Sequence, residues 1–243
     1  MTERAPTTTV SANGTLPLPP EEPPVCGPTD LGGESKESTY ALPSAEVLAK
    51  ASKMPVLDSE GKSHSLQSIY ENDSGAVQRN LIIFIRHFAC TVCQQYVRHL
   101  ANALPPLKLA ALSPPTRITI IGNGDPSIIE RYKKDVPCPF DLYTDPGAKL
   151  YAQLGMIRNL GMGKDAPEYV EGKSMLKLSW DGFVNVLKQP QNAFKMGDWS
   201  QIGGEFLFIK DEEEWRCTWA HRMRTTRDHA EVRELKKVLQ IDE

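Results

Sequence analysis

Two cysteines, Cys90 and Cys93, stand three residues apart, directly after the apolar run Leu81 to Ile85. Thiol chemistry runs through the thiolate, so whatever lowers a cysteine's pKa makes it a nucleophile. The helical pattern begins at Thr91, which puts Cys90 at a helix start. Free backbone N–H groups and positive partial charge there favour an anion. Cys-x-x-Cys cysteines at such positions titrate at roughly 3.5–7.5, against about 8.5 for a free thiol. Arg86 and His87 closely precede the pair and can add positive charge. Cys93 lies one turn along the same face, where it can attack a sulfenic acid or mixed disulfide on Cys90 and close a local disulfide. An external thiol would then restore the dithiol. Two other readings stay open. A structural zinc site takes four ligands, commonly from two close pairs. Cys138 and Cys217 are isolated, and there is no second Cys-x-x-Cys and no histidine pair. Inert packing suits single buried cysteines better than two at a helix start.

The elements that must position this pair are legible on both sides of it. Leu81 to Arg86 reads as a buried strand, being short, branched and continuously apolar. From Thr91 the period changes: Cys93, Val97, Leu100 and Leu104 fall on one helical stripe, which Pro105-Pro106 ends. Thr116 to Gly122 is a second interior strand. Asp125-Pro126 caps a helix carrying Ile128, Ile129 and Tyr132. "PFDLYTDPGAKLYAQLGM" repeats the scheme, with Asp145 as cap and Pro146 opening a helix. Upstream, "SAEVLAKA" reads as a helix capped by Ser44, and "MPVLDSEGKSHSLQSIY" as strand, turn, strand and helix. Downstream, residues 155 to about 200 offer loops and one helix, "GFVNVLKQ". "GEFLFIKDEEEWRCTWAHR" is a hairpin. "DHAEVRELKKVLQ" is an amphipathic helix with Asp228 and Glu231 at capping-box spacing. Alternation of strands and helices implies a mostly parallel sheet covered on both faces, with the terminal hairpin adding antiparallel strands. With Cys-x-x-Cys at the start of the first major helix, the fold class is α/β: a thioredoxin-like three-layer α/β/α sandwich with a mixed central sheet.

Composition limits the alternatives. The chain has 243 residues, 40% of them hydrophobic and 24% charged, which suits one ordinary domain with an extension. A net charge of -3 makes nucleic acid and anionic membranes poor partners. No run approaches the roughly 20 apolar residues of a membrane span. The N-terminus lacks the apolar core of a secretory signal, and Arg4 is the one basic residue among the first thirty-five, which points to a cytoplasmic protein. Five dispersed cysteines do not make a secreted disulfide scaffold. Residues 1–40, rich in Pro, Thr, Ser, Glu and Gly, read as a disordered tail with Cys26 incidental, or as a docking or regulatory tail. Residues 41–243 form the thioredoxin-like domain.

The stretch "LIIFIRHFACTVCQQYVRHL", with "PVLDSEGKSHSLQSIY" before it and "GGEFLFI…WAHRMR" after, resembles the AhpC/TSA antioxidant proteins, in particular peroxiredoxin-like members carrying Arg-His-Phe-x-Cys-x-x-Cys. The resemblance runs from about Met54 to the C-terminus. It implies a thioredoxin fold and thiol-dependent antioxidant oxidoreductase activity on a peroxide or related electrophile, with Cys90 and Cys93 as the redox pair. Relatives of this kind include enzymes proposed to reduce endoperoxide lipids. No cofactor is implied beyond an external thiol reductant such as thioredoxin or glutathione. The chain departs from true peroxiredoxins, which place Pro seven and Thr three residues before the peroxidatic cysteine; here those positions hold Ile83 and His87. It departs from thioredoxins in having Gly203-Gly204 where a cis-proline opens the final hairpin. Those glycines either admit a substrate to the backbone or allow a bulge.

Arg222 and Arg224, after the last strand, are candidates to hold an anionic substrate or the thiolate, with solvated surface as the plainer role. Cys138, between two prolines, is either a remote resolving thiol or incidental. Besides peroxide reduction, two functions fit the pair: a disulfide or lipid-endoperoxide reductase on the same fold, and a non-enzymatic redox sensor or adaptor.

Overall fold

The computed structural model describes residues 39–71, 77–164, 166–170, 195–212 and 214–241. The tail up to residue 38 and the helix expected in "GFVNVLKQ" lie outside them. Thr39 is already buried, and the Tyr40 ring packs 5.3 Å from His221, so the described chain packs slightly ahead of residue 41.

Strand β3, Arg79–Phe84, is buried at every position. Leu81 and Ile83, with Ile85 just beyond, enter one core, while Ile82 and Phe84 enter the other. A branched apolar run behaves this way at the centre of a sheet covered on both faces. Around β3 stand β1 (Pro55–Leu57), β2 (Ser63–Ser65), β4 (Thr116–Gly122), β5 (Asp141–Thr144), β6 (Gly204–Asp211) and β7 (Glu214–Arg222). Their order is β2-β1-β5-β4-β3-β6-β7. Only β3/β4 and β4/β5 pair in parallel; β1/β2, β1/β5, β3/β6 and β6/β7 are antiparallel. The sheet is therefore mixed and not mostly parallel. Short connections can only return a strand antiparallel, and a hairpin lies at each edge.

Helices α3 (Thr91–Ala103), α4 (Pro106–Ala110), α5 (Ile129–Asp135) and α7 (Val232–Val238) cover the first face. Helices α1 (Ala45–Ala51), α2 (Leu66–Glu71) and α6 (Lys149–Gln153) cover the second. Cys93, Val97, Leu100 and Leu104 all reach zero exposure, so the stripe read from the sequence is the buried one. Each large aliphatic side chain so buried stabilises the fold by roughly 1.5–3 kcal/mol. The segment β3–α3–β4, closed by β6–β7–α7 in the spatial order 4-3-6-7, is the thioredoxin-like core, and the three layers are those expected. Among the described residues no helix is long and apolar enough to cross a membrane.

Local details differ from expectation where tertiary contacts intervene. Strand β3 ends at Phe84, not Arg86, because the chain peels away after Ile85 N donates to Ile121 O. Pro105-Pro106 ends α3, yet Pro106 also opens α4, as a proline at a first helical position can. Asp145 caps α6 from a distance: its carboxylate accepts from Leu150 N at 2.7 Å, and Ala148 takes a left-handed turn before the helix starts. Asp228 is not the cap of α7. Its carboxylate accepts from Arg224 N at 2.8 Å, and Glu231 occupies the cap position with its Oε1 accepting from Glu168 N at 3.0 Å and not from the helix.

Candidate active site

Cys90 is the N-cap of α3. Its Sγ accepts from Cys93 N at 3.3 Å, so the thiol occupies the place where Ser or Asp usually satisfies an orphan N–H. The preceding loop is fixed by Phe88, whose ring lies where a Cβ on Gly122 would stand, at 2.4 Å. Only glycine in β4 allows that approach. Phe88 also meets Tyr132 edge-on, at 5.3 Å. From the other face, Tyr151 Oη donates to Ile85 O at 2.7 Å and shares its proton with Ile121 O at 2.9 Å. Both strand ends that carry the loop are thus held.

Arg86 is buried and fully engaged. Its Nη1 donates to Cys90 Sγ at 3.4 Å, Nη2 to Trp199 O at 2.6 Å and Nε to Gln201 O at 3.3 Å. The two carbonyls aim the guanidinium at the sulfur. Cys90 is held down to about 6, chiefly by the hydrogen bond from the Cys93 thiol. Burial opposes this, while the Arg86 charge and the Cys93 N–H add to it. Burial pushes the Cys93 thiol well above its ordinary range, and the hydrogen bond to Cys90 and the charge there reinforce it. The pair is split into a thiolate and a proton-holding thiol, the pattern that marks an acid–base division of labour. Arg86→Met should slow alkylation of Cys90 roughly tenfold below neutral pH and move its midpoint upward from about 6, as loss of one adjacent cation predicts. Iodoacetamide kinetics against pH measure it.

His87 corrects an expectation. Burial, then the Arg86 charge, pull it down to about 3, so it is neutral and lends Cys90 no positive charge. Its ring packs 4.9 Å from Trp199, and Nδ1 has no hydrogen-bond partner among the described residues. Arg222 is placed elsewhere: Nε donates to Leu154 O and Nη1 to Ala41 O, both at 2.6 Å, and the guanidinium lies 5.4 Å over Phe206. Phe206 belongs to the core on the opposite side of the sheet from Cys90. Arg224 N donates to Asp228, near the surface. Cys138 packs on the edge of the first core with Sγ 3.9 Å from Phe140 O, and burial raises its pKa. The glycine pair serves the chain's own packing. A Cβ on Gly203 would stand 1.8 Å from Phe84 O, and one on Gly204 would stand 2.6 Å from His221 O.

Two residues at the site have no counterpart in the sequence reading. His229 Nε2 lies 3.4 Å from Cys93 Sγ, and its Nδ1 lies 2.5 Å from Glu205 Oε1. The other carboxylate oxygen of Glu205 takes His221 Nδ1 at 2.7 Å. Glu205 is wholly buried. Burial alone would raise its carboxyl, but His229 and the hydrogen bond from His221 hold it down to about 2. For His221, burial works downward and the Glu205 carboxylate outweighs it, leaving the pKa raised. One signal was available: "GEFLFI" carries a carboxylate inside an apolar strand, and such a group needs partners. Among the described residues, no group of three or more His, Cys, Asp or Glu side chains has metal-site geometry.

A dithiol split into thiolate and thiol, capping the helix that follows the central strand of this core, defines a thioredoxin-fold dithiol protein. More particularly, residues 100–225 match the family model described as AhpC/TSA antioxidant enzyme, just over half of the chain, and the chain belongs to that family. The matched span starts after Cys93 and stops before His229, so it covers the scaffold and leaves the chemistry to the geometry. Peroxiredoxin-like 2C of Mus musculus is 26% identical over 184 residues, 76% of this chain and 76% of that protein. Peroxiredoxin-like 2C of Takifugu rubripes is 29% identical over 157 residues, 63% and 65% respectively. Among solved structures, a bacterioferritin comigratory protein of Xanthomonas campestris aligns with a TM-score of 0.46 at 14% identity, over 82% of this chain and 93% of that one.

Proposed function

We propose that the protein is a thiol-dependent oxidoreductase that reduces a peroxide or related electrophile through a Cys90/Cys93 dithiol–disulfide cycle. The observation that carries this reading is the Arg86-held Cys90 sulfur, hydrogen-bonded to a Cys93 thiol that keeps its own proton. The Cys90 thiolate attacks the distal oxygen of the peroxide. An S–O bond forms, the O–O bond breaks, and the alkoxide leaves and takes a proton to become the alcohol. Cys93 then attacks the sulfenyl sulfur, and water leaves as the disulfide closes. Two equivalents of an external thiol, of the thioredoxin or glutathione class, reduce that disulfide and leave as a disulfide themselves. No cofactor enters the cycle.

The test is oxidation of the reduced protein with one equivalent of hydroperoxide. Mass spectrometry should find a Cys90–Cys93 bond, and a thiol reductant should restore the dithiol and sustain hydroperoxide consumption. A protein that forms the bond once but shows no sustained peroxide consumption with thiol reductant present would be a sensor and not an enzyme. A second reading, reduction of disulfides or lipid endoperoxides, is favoured by His87. A neutral imidazole stands where peroxiredoxins place the threonine that orients a hydroperoxide. Parallel assays with hydroperoxide, disulfide and endoperoxide separate the two by rate.

A further inference from the structure

We propose that His229 is the base that activates Cys93 for the resolving step, and that Glu205 positions it. This rests on Cys90 and Cys93 forming a disulfide pair, as in the preceding section.

A carboxylate can only accept hydrogen bonds, so Nδ1, 2.5 Å from Glu205 Oε1, is the nitrogen that carries a proton. In the neutral ring this leaves Nε2 as the acceptor, 3.4 Å from Cys93 Sγ. The ring cannot swing away. Tyr96 stacks on it at 4.3 Å and 7°, and its backbone N–H donates to Tyr169 Oη at 3.2 Å. Glu205 is fixed in turn by His221 and by the Ala230 N–H at 3.4 Å. A buried base, oriented by a buried carboxylate and pointed at a buried thiol, is the arrangement that activates nucleophiles generally.

The order of events follows from the one proton on Cys93. In the dithiol state that proton is donated to the Cys90 thiolate, where it lowers the Cys90 pKa. Once Cys90 carries an adduct, Cys90–S–X, the anionic acceptor is gone. The Cys93 proton then turns to His229 Nε2. Cys93 attacks Cys90, the S–S bond forms and the S–X bond breaks. Departing X takes the proton back from His229 and leaves as HX: water from a sulfenic acid, a thiol from a mixed disulfide. Cys93 is thus held inactive until Cys90 has reacted.

The test uses substoichiometric dithiobis-nitrobenzoate on the full-length reduced protein. Attack by Cys90 releases one coloured thiolate, and closure by Cys93 releases a second; a labelled thiol with no neighbour releases only the first. His229→Asn should slow the second release by about 10²-fold, the usual worth of a positioned base, and leave the first within about threefold. Glu205→Gln should slow the second release by about tenfold and again spare the first. Both variants are checked for a cooperative thermal transition, and either one that folds decides the matter. A second phase unchanged in a folded variant, equal slowing of both phases, or no second phase in the wild type overturns the relay. The probe contains no peroxide, so failure of the peroxidase reading appears separately, as absent hydroperoxide consumption with a normal second phase.

Discussion

Replacing Cys90 with serine should lower hydroperoxide turnover by at least about 10³-fold, because in the proposed cycle the Cys90 sulfur is the nucleophile. At a pKa of about 6, roughly nine-tenths of Cys90 is thiolate at neutral pH; serine keeps the shape and loses the anion. Serine at a helix N-cap is a good cap, so the variant should fold, and the loss is read as chemistry. Cys93→Ser gives the contrasting outcome. The first oxidation should survive, with one peroxide consumed per chain and a sulfenic acid left on Cys90 that dimedone captures. Cys93→Ala, which has no donor, should in addition make Cys90 less acidic, because the largest cause of its low pKa is the Cys93 hydrogen bond. Wild-type activity should rise through about pH 6 and then level. Undiminished turnover by Cys90→Ser would remove the cysteine pair from the mechanism.

The scaffold and the candidate cysteine pair are legible for the same reason: both are local. A branched run is a strand, a stripe at Cys93, Val97, Leu100 and Leu104 is a helix face, and two cysteines at their junction are adjacent however the rest folds. What surrounds the sulfurs is not local. Arg86 does reach Cys90, but its aim depends on the carbonyls of Trp199 and Gln201, more than a hundred residues away. His87 has the right spacing for a charged helper, yet burial beside Arg86 makes it neutral, and burial is a property of the assembled core. His229 was absorbed into an expected helix because Asp228 and Glu231 have capping spacing. In the fold Asp228 turns to Arg224, the helix does not begin until Val232, and His229 reaches inward to Cys93. Glu205 is a carboxylate inside an apolar strand, but its partners come from 16 and 24 residues further on.

That carboxylate should also dominate stability. Glu205 is wholly buried against two histidines and one backbone N–H, so removing it strands polar groups in the core. Breaking such a pair from one side costs about 3–5 kcal/mol, and Glu205→Ala should lose that much in denaturant unfolding, with some lost packing added. Glu205→Gln keeps the shape, removes the charge and turns one of the two acceptor oxygens into a donor. A carboxyl held at about 2 against an ordinary 4.5 is worth about 3 kcal/mol at neutral pH, which is the loss expected for the amide. The pH dependence gives the sign. Because the folded-state pKa is depressed, this stability is present above about 4.5 and drains away as pH falls towards about 2. The gap between wild type and Glu205→Gln should therefore be widest near neutrality and close on acidification, as the wild-type carboxyl itself takes up a proton. His221 adds an opposite limb. Its raised pKa gives stability that is complete below 6.5 and is lost as pH rises through the folded value, and Glu205→Gln should lack that limb as well. Unfolding free energies from pH 3 to 8 for both proteins measure the two limbs together. A gap that stays constant across that range would mean that the Glu205 site stabilises through shape and not through charge.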